Sequence, residues 1–560
     1  MAKGGKGPIR VSQLIVPFGV GAISILRNGL SVITAGLDNW YKHELDRSNL
    51  KLDEFKINEH RLKGRLKVHH FRKPPDFRPT YKNKGSYARN LDLLIPHMRF
   101  PTWFYCQKCR GLKKKSLFTS ENYIKCNCGG DLLAVPIIAV CEKGHMQDFP
   151  WYQWVHESAT PNCTGKLSLI NKGGTTLQGL QISCTCNMSR TLGRVLNSSD
   201  NNTHLSSKLE PNGNPFLCEG KMPWIDSEED CDKQLKGALK SSSNNYYPRV
   251  ASSIVIPLED LSSKLKVLNI LTDNRVFSNI IHALRGIVNE SNIKQIASQC
   301  FEQINTEDLN NDLEDFSDDL IKDVLRTQFS DDEFGSEEEI VSSDSPYQNF
   351  TREEINIILK EKHSDELDVT KIEQDSILDN YFSGIYRINK LTEVKVLTGF
   401  SRIVPQDLEM YNVSHFLRKE KPAPYSKDNW LPATEIHGEG IFLNFNEQTL
   451  SRWEKEDSIV NRISALNDRA NATKLFNQSK IPILPRSVLI HTFSHILIKE
   501  LVYECGYSAS ALNERLYISE DTEKPMGGIL IYTGQAGSDG TLGGLSRMSD
   551  KTKITETIKR

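Results

Sequence analysis

The sequence predicts a mixed α+β, multidomain protein, and three observations carry that expectation. The chain has 560 residues, more than one hydrophobic core accommodates; at about 150 residues per domain it should divide into three or four. Ten of its twelve cysteines fall between residues 106 and 231, a density that marks a separate small domain. Apolar residues recur at strand spacing near both ends and at helical spacing in the middle.

In chain order, residues 1–100 read as a small β-rich region. An apolar run from Leu14 to Leu26 is broken by Pro17, Gly19 and Gly21, and Leu30-Ser-Val-Ile-Thr34 alternates before Trp40. Lys3, Lys6 and Arg10 ahead of that run imitate a secretory signal. The cysteines argue for a reducing cytoplasm instead, because they cluster at metal-knuckle spacings rather than spreading as disulfide staples. Residues 101–250 form the cysteine-rich, zinc-ribbon-like domain. Residues 251–346 turn helical, with Leu258, Leu261, Leu265, Leu268 and Leu271 three and four apart. The end of that region is acidic: from 307 to 340 fourteen acids face only Lys322 and Arg326, and Phe334-Gly-Ser-Glu-Glu-Glu has a linker's composition. A solvated loop outside any packed core is expected there, in which only scattered Leu309, Leu313, Phe316, Leu320, Val324 and Leu325 could form a short amphipathic helix. Residues 347–480 form a mixed α/β region with strand-like Glu393-Val-Lys-Val-Leu and Gly440-Ile-Phe-Leu-Asn-Phe. Residues 481–560 form an α/β C-terminal domain: a helix from Ser487 to Tyr503, a stop at Cys505-Gly506, a buried strand Gly528-Ile-Leu-Ile-Tyr532 and a glycine-rich loop.

Charge excludes some functions. Lys and Arg number 70 against 71 Asp and Glu, so the chain is not a generally basic nucleic-acid protein, although two blocks of opposite sign hide in the mean. No run of 18 apolar residues occurs, so no membrane-spanning helix is expected. No Gly-Lys-Ser/Thr closes a Gly-x4 loop, so nucleotide hydrolysis by this chain alone is not expected.

The cysteines carry the strongest chemical signal. Cys106-x2-Cys109 and Cys126-x-Cys128-Gly-Gly supply two thiolate pairs that can close a tetrahedral zinc site. Four protein ligands leave no position for water, which makes such a site structural. A second zinc is expected on Cys163, Cys184, Cys186 and Cys218, with Cys141, His145 and Cys231 as further candidates. His145, within Gly144-His-Met-Gln-Asp-Phe-Pro-Trp151, reads equally as a histidine packed on aromatics. His491-Thr-Phe-Ser-His495 places two imidazoles one helical turn apart, but Thr492 stands where a zinc protease needs its Glu. Core or interface histidines with local hydrogen bonds are the expectation. Gly534, Gly537, Gly540, Gly543 and Gly544 form either an anion-binding nest or a tight structural loop.

Between residues 61 and 90 ten Lys or Arg face Asp76 alone, interleaved with His69, His70, Phe71, Phe77, Tyr81 and Tyr87. That is the composition of a nucleic-acid groove, or of a basic face that is solvated or docks an acidic partner. Arg61, Arg65, Lys67, Arg72 and Lys73 are its DNA-contact candidates, with Lys113 and Lys114 on the ribbon hairpin.

Five ordered blocks resemble a known family. They are Arg10-Val-Ser-Gln-Leu with Pro17-Phe-Gly-Val-Gly21; Gly144 to Trp151; Leu391-Thr-Glu-Val-Lys-Val-Leu-Thr-Gly-Phe-Ser-Arg402; Trp430-Leu-Pro-Ala-Thr-Glu435 with Gly438-Glu-Gly-Ile-Phe442; and His491 to His495 through Gly540-Thr-Leu-Gly-Gly-Leu545. Together they resemble the DrmB family of the bacterial DISARM antiphage system, the last block resembling an MrfB-type zinc-binding domain. The family pattern continues past the Gly-Gly-Leu block into a cysteine-rich segment that this sequence does not carry. The resemblance implies a non-catalytic zinc-binding subunit in the cytoplasm that forms a heterodimer with a DrmA-like superfamily 2 helicase. It further implies that the subunit helps bind foreign DNA, with other DISARM components as further partners and no membrane. A metal-dependent hydrolase using His491 and His495, and a pure protein–protein scaffold, are the alternatives.

Overall fold

A strand that is apolar at nearly every position is stable only where both faces of its sheet are covered, and Gly527–Thr533 is such a strand. Its sheet runs in the order Tyr247–Ile254, Phe382–Ser401, Trp430–Phe445, Gly527–Thr533, Leu512–Ile518. Gly527–Thr533 pairs antiparallel with Trp430–Phe445, Gly440 opposite Tyr532, and with Leu512–Ile518, Leu512 opposite Thr533. Side chains alternate between the faces. Ile441, Leu443, Ile529 and Ile531 pack with Ile490, Leu497 and Leu501 of the helix Pro485–Cys505. Phe442, Leu530 and Tyr532, one residue out of phase, pack with Ile355 and Ile358 of the helix Pro346–Leu359. The long helix is bounded as its sequence dictates: Pro485 occupies its first turn, and Gly506 ends it in the left-handed region at φ +69°.

This structure is a computed structural model. It describes residues 9–26, 29–41, 52–75, 93–115, 125–174, 176–199, 202–209, 214–273, 275–284, 288, 292–305, 313–329, 346–405, 415–471, 483–508, 511–519, 521, 523–534 and 544–560. The chain divides into two units assembled from non-contiguous segments: Met1–Phe55, Lys73–Val250 and Leu397–Lys421 in the first, Lys56–Arg72, Ala251–Val396 and Pro422–Arg560 in the second. The architecture is mixed α+β and multidomain, as the sequence predicts. Among the described residues no helix is long and apolar enough to cross a membrane.

The second unit also holds a helical core. Ser263–Asp273, Arg275–Leu284, Ile293–Asn305 and Asp318–Phe329 enclose Leu268, Leu271, Phe277, Phe301 and Leu325. This corrects the reading of the acidic stretch as wholly outside a packed core, since Leu313, Ile321, Val324 and Leu325 are buried there. The acids are tolerated for local reasons. Asp318 and Asp319 occupy the first helical turn, where the helix dipole favours negative charge, and Asp323 pairs with Lys264 at 2.9 Å. Residues 307–312 and 330–340, including the Phe334–Glu339 linker, lie outside the described residues.

A buried charge network changes the meaning of the basic segment. Arg61, in the helix His60–Arg65, is 2% exposed. It donates to Glu353 at 2.9 Å and to Glu354 at 3.0 Å, and its guanidinium stacks 3.8 Å from the Phe350 ring centre. Arg515 grips the same Glu354 through two hydrogen bonds of 2.6 and 2.8 Å, and the Tyr517 hydroxyl adds a third donor at 3.3 Å. Arg61 is therefore closed off from a DNA phosphate, contrary to the expectation from charge density.

The first unit is built differently. Besides two two-stranded ribbons it has, among the described residues, four three-stranded sheets: Ile23–Ile25 with Ser31–Thr34 and His97–Arg99; Trp103–Cys106 with Leu112–Lys114 and Leu132–Ala134; Ile137–Val140 with Met146–Asp148 and Lys236–Leu239; Leu180–Cys184 with Leu167–Asn171 and Ser189–Thr191. The last three share a core that includes Phe149, Trp151, Trp154, Ile182 and Leu205. Arg402 is fully buried in this unit. It donates to the carbonyls of Gly21 at 2.9 Å, Gly144 at 2.8 Å and Asn245, between the Trp224 and Phe400 rings. Burial pushes its guanidinium down to about 9.

Removing one partner of a buried ion pair strands the other, at a cost on the order of 3–5 kcal/mol. Arg61→Ala should therefore destabilise the chain to denaturant by about that amount while leaving metal content unchanged. An unaltered unfolding midpoint would show that Glu354 does not need Arg61.

Candidate metal centres

Ten cysteines and two histidines of the first unit resolve into three groups of four, in each of which the ligand atoms lie within 4.8 Å of one another. The first is Cys106, Cys109, Cys126 and Cys128. Cys106 ends the strand Trp103–Cys106, Cys109 lies in the turn that follows, and the second pair precedes the strand Leu132–Ala134. Sulfur separations are 3.4 Å for Cys106–Cys128 and 3.7 Å for Cys109–Cys126. A zinc ion about 2.3 Å from four tetrahedral sulfurs would set edges of about 3.8 Å, so the donor set is near that geometry. The backbone supports thiolate. The Cys109 amide donates to Cys106 Sγ at 3.4 Å, and the Cys128 amide helps bring the Cys126 thiol down to about 6. Glycine is required beside the sulfurs, because a Cβ on Gly130 would lie 2.7 Å from Cys106 Sγ.

The second group is Cys141, His145, Cys218 and Cys231. Cys141 and His145 flank the turn between the strands Ile137–Val140 and Met146–Asp148. Cys141 Sγ lies 3.4 Å from His145 Nδ1 and 4.0 Å from Cys231 Sγ. His145 Nε2 lies 2.9 Å from Glu229 Oε1. A proton on Nε2 donated to that carboxylate leaves the Nδ1 lone pair facing the sulfurs, the tautomer a metal requires. The Phe416 ring meets the imidazole edge-on at 5.6 Å, so aromatic packing and ligand geometry coexist. Hydrogen bonds from Cys218, the largest influence, and from His145 bring the Cys141 thiol down to about 4 against the upward push of burial.

The third group is His156, Cys163, Cys184 and Cys186. His156 ends the helix Trp151–His156, and its Nδ1 donates to the Tyr152 carbonyl at 2.8 Å. Its Nε2 is thereby turned toward Cys186 Sγ, 3.3 Å away. Cys163 and Cys184 are 3.6 Å apart, and the Gly165 amide donates to Cys163 Sγ at 3.3 Å. A Cβ on Gly165 would sit 2.6 Å from Cys184 Sγ.

Each group could hold a metal ion, and donor sets of four thiolates or three thiolates and one imidazole suit zinc. The grouping differs from the sequence reading in two respects. Cys218 does not join Cys163, Cys184 and Cys186; it completes a set with Cys141, His145 and Cys231, which the sequence offered only as further candidates. His156 takes the vacated place, and sequence reasoning missed it. The one signal it carries is position: it closes a helix seven residues before Cys163.

The other site residues are placed as follows. Arg65 lies over the Phe350 ring at 5.0 Å and Arg72 over the Trp430 ring at 4.9 Å. Lys67 and Lys73 are half-buried. Lys113 is half-buried and Lys114 exposed on the strand Leu112–Lys114. Phe77, Tyr81, Tyr87 and the basic residues from Arg78 to Arg89 lie outside the described residues, as do Gly537, Gly540 and Gly543. His491 and His495 face solvent rather than a core.

Comparison with known proteins places this arrangement in two steps. Residues 10–247, which contain all three groups, match the family model of a domain of unknown function, DUF8724. The chain is similar to the DISARM protein DrmB of Bacillus paralicheniformis, at 29% identity over 533 residues, 90% of this chain and 83% of that protein. The similarity agrees with the resemblance of the five sequence blocks to the DrmB family.

The grouping makes a testable distinction. Cys218→Ser should lower the metal content of the purified chain by one equivalent. Adding Cys231→Ser should remove no more, whereas adding Cys163→Ser should remove a second. If the Cys163 and Cys218 substitutions together cost only one equivalent, the sites are wrongly partitioned. Glu229→Gln should weaken metal retention at the Cys141 site about 10–100-fold, the usual effect of losing a carboxylate that orients a ligand.

Proposed function

We propose that this chain is a non-catalytic, zinc-stabilised subunit of a DISARM-type antiphage system, acting in the cytoplasm with a DrmA-like helicase and helping to engage foreign DNA. The observation that carries this reading is the similarity to the DISARM protein DrmB over most of both chains. Four ligands in each of the three cysteine groups leave no open position, which fits structural zinc.

Not every basic residue singled out in the sequence suits a DNA contact equally. Arg61 is sequestered by Glu353 and Glu354, and Arg65 and Arg72 lie against aromatic rings. Lys113, Lys114 and Lys115 remain the better candidates. Lys114 and Lys115 line a cleft of about 900 Å³ within the first unit, together with Trp103, Tyr152 and Lys221, and with Asp148, Glu219, Asp226 and Glu228 on the same walls. Cations beside aromatic faces suit a sugar–phosphate chain with exposed bases.

Replacing Lys113, Lys114 and Lys115 by Ala should weaken binding to all DNA sequences alike. On duplex the log–log salt dependence should flatten by about 0.9 for each phosphate that is no longer neutralised. The measurement is fluorescence anisotropy at several salt concentrations, on the full chain alone and co-purified with its helicase partner. Affinity that falls for one sequence and holds for another would mean that these lysines read bases. An unchanged salt slope would remove them from the interface.

A further inference from the structure

The geometry points to a fourth metal site, formed by His491, His495 and Glu514 in the second unit and different in kind from the cysteine groups. It would hold one divalent cation of the zinc type on two imidazole nitrogens and one carboxylate oxygen. Its remaining coordination positions would be open to water or to an anionic oxygen ligand.

Three donor atoms converge. His491 and His495 are one turn apart on the helix Pro485–Cys505, which puts them on one face. Their Nε2 atoms are 3.0 Å apart, and Glu514 Oε1 lies 3.2 Å from the first and 3.7 Å from the second. A cation bound at about 2.0–2.1 Å, with ligand angles between tetrahedral and right, would set edges of about 2.9–3.4 Å. The observed triangle falls close to that range.

Hydrogen bonding alone serves the triangle poorly. With one proton on His491 Nε2, Glu514 and His495 must share it. With a proton on each imidazole, the two N–H groups oppose one another at 3.0 Å. One cation accepts all three lone pairs at once.

The surroundings hold the donors in place. Glu514 projects from the strand Leu512–Ile518, and its second oxygen accepts the hydroxyl of Ser494, a fully buried residue between the two histidines. That contact turns Oε1 toward the imidazoles, as a hydrogen bond behind a metal-binding carboxylate does. Ile490 and Leu497, on the buried side of the same helix, fix it against the sheet that carries Glu514.

Openness separates this site from the cysteine groups. The His491 side chain is 44% exposed and that of His495 60%. Among the described residues no fourth His, Cys, Asp or Glu joins the three. Two imidazoles select a borderline metal such as Zn²⁺ or Co²⁺ over Mg²⁺ or Ca²⁺, which prefer all-oxygen shells. Thr492 occupies the position of the zinc-protease base, so peptide hydrolysis of that type does not follow from the ligands.

The test uses the full chain with its cysteine groups already loaded with zinc, titrated with Co²⁺. The wild-type chain should take up one further equivalent, with weak visible d–d bands and no thiolate charge-transfer absorption. His495→Ala and Glu514→Gln should each weaken that uptake at least tenfold without lowering melting in the absence of added metal. Added Zn²⁺ should raise the melting temperature of the wild type and leave that of His495→Ala unmoved. The proposal is overturned if the wild type binds no further equivalent, or if the further equivalent survives both substitutions.

Discussion

Four ligand atoms must meet within a few ångströms of one point, and three times over this requirement organises the first unit. The residues it joins are far apart in the chain: Cys106 and Cys128 are separated by 22 positions, Cys141 and Cys231 by 90. The sheets they join are made of strands only three to five residues long, and strands that short contribute few ladder hydrogen bonds. Hairpins so small do not stand alone in water. A metal at each convergence point would supply the cross-links, and its binding energy would be folding energy. The amides aimed at Cys106, Cys163 and Cys218 fit that role, as do the glycines packed against the sulfurs.

The same constraint gives the buried Arg402 a physical context. A divalent ion on three thiolates and a neutral imidazole leaves one net negative charge. Arg402 reaches the carbonyl of Gly144, which lies between Cys141 and His145, and Cys141 is one of the groups that favours its charged form. It also ties Gly21 and Asn245 to that turn. One guanidinium thus joins three of the sequence blocks that resemble the DrmB family, and would balance the charge of a metal bound where they meet. The second unit solves its own burial problem without cysteine. Its central sheet is covered on both faces by helices, and its buried Glu354 is compensated by Arg61, Arg515 and Tyr517.

Some of this was legible in the sequence. The helix Pro485–Cys505 and the strand Gly527–Thr533 announce themselves, because caps and two-faced apolar runs are local properties. Cys106, Cys109, Cys126 and Cys128 were legible as a set for the same reason, being two short pairs close together. The partition of the remaining ligands was not. Whether Cys218 joins Cys163 or Cys141 depends on how hairpins fold back, and no spacing encodes it. His156 looks like any histidine at the end of an amphipathic helix. Charge misled in two places. Ten bases in thirty residues put Arg61 among the candidates for DNA contact, but the acids that neutralise it lie about 290 positions away. Acid-rich residues 318–329 suggested at most a short amphipathic helix outside any core, but the apolar positions Ile321, Val324 and Leu325 bury it in one. Charge density describes a segment's composition; burial depends on partners distant in sequence.

The central claim is that closed, thiolate-dominated metal sites hold the first unit together. Zinc K-edge X-ray absorption of the purified full chain tests it most directly, because the average first shell reports ligand type and number without any substitution. This account predicts four-coordinate zinc dominated by sulfur at about 2.3 Å, with a minority of nitrogen near 2.0 Å. A shell dominated by nitrogen and oxygen, or a six-coordinate one, would contradict it.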